Sequence, residues 1–138
     1  MAALTITAGQ VLPTADTQFA YGTAAVALTP GQSAYLDTTT STWKLFDAND
    51  TAANTQPPAV VMTTSGASQP VTVAVGGSIT LGAGAAPTLG ILYIAGATPG
   101  DIAPASDLGS NWRTTLLGVG GATNTLVLKP WNSGQTKA

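Results

Sequence analysis

The sequence predicts an all-β chain: a small β-sandwich or β-barrel made of duplicated β units, entered by an extended N-terminal arm. Three observations carry that prediction. Apolar residues recur at a period of two, as in Val71-Thr72-Val73-Ala74-Val75, which is the spacing of a half-buried strand. Glycine clusters punctuate these runs, and glycine supplies the positive φ angles that tight turns need. Nowhere do apolar residues hold a 3.6-residue period for three turns, so no amphipathic helix is expected.

Taken in order, Leu4-Thr5-Ile6-Thr7 alternates, Ala8-Gly9-Gln10 turns, and Val11-Leu12 is stopped by Pro13. Phe19-Ala20-Tyr21-Gly22 sets two aromatics in a stretch with too few neighbours to make its own core, and an isolated strand pair is marginal in water. Residues 1–24 are therefore expected to form an arm lying on the domain, on another copy or on a partner. A single turn is expected over Asp47–Ala53, capped by Asp47. Val71–Val75 and Ser78–Leu81 are expected to form a hairpin about Gly76-Gly77. Leu89–Ile94 reads as a buried strand between Pro87 and Gly96. Leu116–Val119 and Thr125–Lys129 flank Gly120–Asn124 as a second hairpin. After Pro130 the chain is polar apart from Trp131, so residues 131–138 are set off as a tail and 25–130 as the β domain.

That domain reads as two copies of one unit. Gly31–Leu36, Trp43–Asp47, Ala59–Met62, a Ser65–Ser68 turn and Val71–Val73 make the first. Gly90–Ile94, Asp101–Ala105, Leu116–Val119, a glycine-rich turn and Leu126–Leu128 make the second. Both run strand, exposed hairpin, strand, turn, strand, and such halves pack face to face as a sandwich or small barrel.

Charge is scarce. Only 7% of residues are charged, against about 25% in an ordinary soluble domain, and Glu, His and Cys are missing. A surface of hydroxyls, amides and backbone resists desolvation weakly, and a net charge of −2 gives copies little mutual repulsion. Three lysines and one arginine, scattered, do not supply the phosphate neutralisation of nucleic-acid binding. Residues 51–100 are uncharged but broken by Pro57-Pro58, Pro70, Gly76-Gly77 and Pro87, so they do not make a spanning helix. The first residues show neither a basic region nor a long apolar run, so no secretory signal is expected.

Without His or Cys, Ser-His and Cys-His nucleophilic sites and the usual zinc ligand sets are excluded. Asp47, Asn49 and Asp50 form the densest oxygen cluster. A calcium loop would place glycine at position six and Glu at position twelve, where this chain has Ala52 and Pro58, so the cluster reads as an Asx turn. Asp101 and Asp107 are a weak match to a glycosidase pair and read better as turn residues. Gly82-Ala83-Gly84 lacks the rest of a dinucleotide fingerprint. No catalytic residue, metal or cofactor is expected. Trp112-Arg113 joins two residue types enriched at interface hot spots, a core tryptophan beside a solvated arginine being the competing reading. Leu4, Ile6, Val11, Phe19, Tyr21 and Trp131 lie outside the two repeat units and join Trp112 and Arg113 as the candidate partner surface.

Gly31-Gln32, Tyr35-Leu36-Asp37, Trp43–Ala48, Ser65–Val71, Asp101–Pro104, Asp107-Leu108 and Leu117-Gly118-Val119 together resemble small structural proteins of tailed bacteriophages, the capsid decoration (cement) and head-fibre proteins. The likeness covers about residues 25–130 and rests on turn-and-strand signatures. It implies a β-sandwich or β-tulip-like subunit, made in the host cytoplasm and carried on the outer capsid surface of the virion. It also implies a homotrimer at three-fold or quasi-three-fold positions, bound to the major capsid protein between capsomers and stabilising the shell. It supplies no catalytic residues. The competing expectation is a head- or tail-fibre domain binding host glycans through exposed Trp43, Trp112 and Trp131; an enzyme with two carboxylates stands third. No membrane or nucleic-acid partner is expected.

Overall fold

A computed structural model describes residues 3–49 and 55–138. Its ten strands are β1 (Leu12–Pro13), β2 (Gln18–Ala24), β3 (Ser33–Asp37), β4 (Thr42–Leu45), β5 (Ala59–Val61), β6 (Pro70–Thr80), β7 (Leu92–Ala95), β8 (Ile102–Pro104), β9 (Arg113–Gly120) and β10 (Thr125–Thr136). Two short 3-10 turns, Ala8–Gln10 and Ala105–Asp107, are the helical elements among the described residues. The chain is all-β, as its period of two predicts.

The duplication is visible in the pairing. In the first unit β3 pairs with β4 and with β5, and β5 pairs with β6, all antiparallel. In the second, β7 pairs with β8 and with β9, and β9 pairs with β10, again antiparallel. The last strands of the two units then pair with each other, Ile79 opposite Leu126. The order β4-β3-β5-β6-β10-β9-β7-β8 thus runs out from a central β6–β10 seam with the same connectivity on either side.

The N-terminal segment breaks this likeness. β2 pairs antiparallel with β6, Tyr21 opposite Thr72, and parallel with β4, Ala24 opposite Trp43. The first unit is thereby closed into a ring, β2-β4-β3-β5-β6, while the second stays open. Alternation along β2 explains the closure. Ala20, Gly22 and Ala24 face inward, where a five-stranded ring leaves little room, and Phe19, Tyr21 and Thr23 face outward. Gly22 is needed there: a Cβ at this position would lie 2.7 Å from Nε1 of Trp43, the largest side chain of the interior. Strand pairing therefore crosses the boundary drawn at residue 24. Residues 12–13 pair with the end of β6, Leu4 donates its N–H to the Ile102 carbonyl at 2.8 Å, and Leu4, Ile6 and Val11 pack on the core.

Two cores result. Inside the ring lie Ala24, Leu28, Ala34, Trp43, Ala59, Val61, Val71 and Val73. Between the ring and the open sheet lie Val60, Ala74, Ile79, Leu81, Tyr93, Ile102, Leu117, Leu126 and Leu128, with Val11. Successive residues of β5 point into different cores, so Ala59, Val60 and Val61 are all buried, which accounts for an uninterrupted apolar run there.

The hairpin expected at Gly76-Gly77 is corrected: β6 continues through both glycines. Two-residue hairpin turns need positive φ at the first central residue, and only Gly77, at +72°, has it. The strand bends instead of reversing and changes partners, from β2 up to Gly76 to β10 from Gly77 onward. The loop before β2 sits against this corner. Thr17 Oγ1 donates to the Ser78 carbonyl at 2.6 Å, and Ser78 Oγ donates to Asp16 Oδ1 at 2.7 Å. Hydrogen bonds from the hydroxyls of Thr14 and Ser78 hold the Asp16 carboxyl below its usual pKa. The strand expected over Leu89–Ile94 begins later, at Leu92, because Gly90 turns at a φ of +80° and Thr88 donates its N–H to the Tyr93 hydroxyl at 2.7 Å. The second hairpin forms as expected, closed by Gly121 N–H donating to the Thr125 carbonyl at 2.7 Å.

The segment set off as a tail is the second half of β10, with Trp131 opposite Leu116 and Thr136 opposite Arg113. A register shift between Leu128 and Trp131 accommodates Pro130, which has no N–H for the ladder.

The corner gives a direct test. At Gly77 both the positive φ and the Asp16 carbonyl, which a Cβ would overlap, oppose a side chain; at Gly90 the φ is similar but nothing lies within 4 Å. Gly90→Ala is expected to cost about 1 kcal/mol and Gly77→Ala at least about 2 kcal/mol more, since strain and collision add, measured by urea unfolding.

Candidate interaction surface

The outer faces of the two layers carry the features left over once the cores are filled. On the open sheet, Leu92 lies opposite Val119 and Val119 opposite Val127. All three alternate with inward residues such as Leu117, Leu126 and Leu128, so they form an apolar row on the outer face. Leu89 extends it, since the adjacent Gly90 donates its N–H to the Gly120 carbonyl at 2.8 Å; the Leu89 side chain is 71% exposed. On the ring, Phe19 and Tyr21 stand two residues apart on β2 with ring centroids 6.4 Å apart, and Tyr21 is 74% exposed. Trp131, on β10, is 56% exposed. Leu12, Phe19, Tyr21, Val26, Leu89, Leu92 and Trp131 are the seven exposed large apolar side chains among the described residues, and Val119 and Val127 are half-buried. Scattered single apolar residues are ordinary on a surface; a cross-strand row and a paired aromatic cluster are not.

The structure divides the candidate surface residues. Phe19, Tyr21 and Trp131 face solvent. Val11 is only 5% exposed and belongs to the intersheet core, with Leu4 and Ile6 half-buried against it. Their apolar side chains cover the ends of the open sheet next to Ile102, so they serve the fold first. Trp112 is half-buried over Phe46, Ala48 and Ala95, and Gly109 makes room for its indole. Arg113 donates its N–H to the Ala48 carbonyl and Nη1 to the Gly134 carbonyl at 3.0 Å. This pair ties β9 to its neighbours.

The three-tryptophan sugar platform does not assemble. Trp43 is 7% exposed inside the ring and Trp112 is half-buried, which leaves Trp131 alone at the surface. Residues 50–53 of the turn expected at Asp47–Ala53 lie outside the described residues. Asp47 Oδ1 accepts the Asn49 N–H at 2.9 Å, the bond of an Asx turn. Among the described residues no three His, Cys, Asp or Glu side chains are grouped to hold a metal ion, and no helix is long and apolar enough to cross a membrane.

Ionic detail is sparse. Lys44 pairs with Asp37 at 2.6 Å on the β3–β4 hairpin, holding that carboxyl below and that ammonium above their ordinary values. Burial raises the Asp101 carboxyl, and a hydrogen bond with Thr98 opposes the rise.

The sequence reading passed over Leu12, Val26, Leu89 and Leu92. The signal for the row was present in Leu126-Val127-Leu128 and Leu116–Val119: strands apolar at consecutive positions have two apolar faces, and only one can face the intersheet core. No family model, curated protein or solved structure matches the chain.

Side chains given to the surface and those given to the core should separate cleanly in unfolding experiments. Tyr21→Ala and Trp131→Ala are each expected to change stability by less than about 1 kcal/mol, whereas Trp43→Ala removes the filling of the ring and costs about 3–5 kcal/mol. Deleting residues 1–12 removes Val11 and uncovers the intersheet core, so it should lower the unfolding midpoint instead of leaving a fully stable domain.

Proposed function

We propose that this chain is a viral structural protein, a capsid decoration or cement protein that binds the outer surface of an assembled phage head between capsomers and stabilises it. The observation that carries the reading is the apolar row Leu89, Leu92, Val119 and Val127, with Phe19, Tyr21 and Trp131, on a body with almost no ionic surface. Exposed apolar groups in contiguous arrangement favour an interaction site. Such contacts lose little to salt screening, and a few of them repeated by symmetry sum to high avidity without any new kind of contact. On this reading the partners are the major capsid protein and further copies of the chain, as a homotrimer. The family resemblance supports the same assignment. A glycan-binding fibre domain is the less favoured reading, because two of the three tryptophans it would use are withdrawn from the surface.

The test is binding to purified, decoration-free heads of the tailed phage that encodes the chain. Saturation at a fixed copy number per head is expected, retained as salt rises from about 0.1 M to about 1 M, where screening of charge contacts is severe. Leu92→Asp, which puts a charge into the row, is expected to weaken binding at least tenfold while leaving the fold intact. Failure to bind heads, together with capture on a glycan array, would overturn the assignment.

A further inference from the structure

One end of the five-stranded ring is closed and the other is not. Leu28 seals the first: it is fully buried, and it exchanges backbone hydrogen bonds with Ser65 at 2.8 and 2.9 Å. At the opposite end the inward positions are Ala20 of β2, Leu36 of β3, Trp43 of β4 and Val75 of β6. These surround a cavity of about 350 Å³. That volume falls in the range of small-ligand pockets, roughly 300–1,000 Å³, which recur at the mouths of β-barrels. Its rim is made by Pro57, Pro58 and Pro130. Pyrrolidine rings are stiff, and the rim is fastened across the layers by Asn132 Nδ2 donating to the Gln56 carbonyl at 2.9 Å. The cavity is therefore preformed, and an occupant would not have to order it.

We propose that this mouth is a binding site for an uncharged aromatic molecule of one or two fused rings. Three properties select that class. No ionisable side chain lines the cavity, so a charged ligand would lose its hydration without compensation. Its walls are aliphatic and its floor carries the Trp43 indole, which favours a second ring in offset or edge contact. Gln56 and the Trp43 indole N–H are the polar side-chain groups among its lining residues, too few for a polyhydroxylated sugar. The site faces inward along the ring axis and uses none of the outward residues assigned to shell binding, so it stands or falls independently of that assignment.

Indole is the probe. Titrated into the isotope-labelled full chain, it is expected to give saturable shifts at the Trp43 indole N–H and at the Leu36 and Val75 methyls, half-complete at or below about 1 mM. Intermolecular nuclear Overhauser effects from indole to those same methyls are expected in the unaltered protein. Ala20→Leu fills the mouth and should weaken binding at least tenfold. If that variant does not fold, the Overhauser contacts decide alone. Shifts that grow linearly without saturation, or contacts only to Tyr21 and Trp131, would overturn the proposal, as would glucose producing the mouth shifts where indole does not.

Discussion

Everything in this fold depends on one strand serving two layers. β6 closes the ring with β2 and β5 through its first half and opens the second sheet with β10 through its second. The change of partner needs a bend without a reversal, and the pair Gly76-Gly77 provides it. The Asp16 loop is packed directly on that bend, so no side chain is tolerated at Gly77. A strand that bends at a glycine can pass between sheets at a corner. Here the corner sets the two cores back to back, with β5 and β6 as the wall between them.

That arrangement explains the composition. A shared wall buried on both faces must be apolar at consecutive positions, as Ala59-Val60-Val61 is, and cannot carry charge cheaply. The ring interior takes small residues at Ala20, Gly22, Ala24, Ala34 and Ala59 beside Leu28 and several valines, and Trp43 is its largest side chain. The outer surface is then built largely from threonine, serine and amides, with a few aromatics and the Leu92–Val119–Val127 row left uncovered. Such a surface offers contact area without the ion desolvation that accompanies charged interfaces, which is the physical basis of the assembling role we propose.

The parts legible in the sequence were those set by local pattern. Alternation in Val71–Val75 and glycine spacing near Gly120-Gly121 gave strands and a true hairpin, and the two repeat units appear in the pairing strand for strand. The parts that were not legible depended on distant neighbours. Gly76-Gly77 looks like a turn by itself; only the Asp16 loop and the waiting β10 make it a corner. Phe19 and Tyr21 suggested an arm lying on the domain, on another copy or on a partner, yet the small residues that alternate with them, Ala20 and Gly22, are what fit β2 into the ring. Trp43 reads as an exposed aromatic until Gly22 is seen to give its indole a place inside. Trp131 follows a proline and polar residues follow it, so its membership of β10 depends on a bulge that no local pattern announces.

If β6 joins ring and open sheet into one mechanical body, the two layers should not open separately. Native-state amide hydrogen exchange measures this directly, because each cooperative unit reports its own opening free energy. The slowest amides of the β2–β6 ladder and those of the β9–β10 ladder are expected to exchange through one common opening, with free energies within about 1 kcal/mol of each other. An open sheet that exchanges several kcal/mol more readily while the ring stays protected would contradict the account.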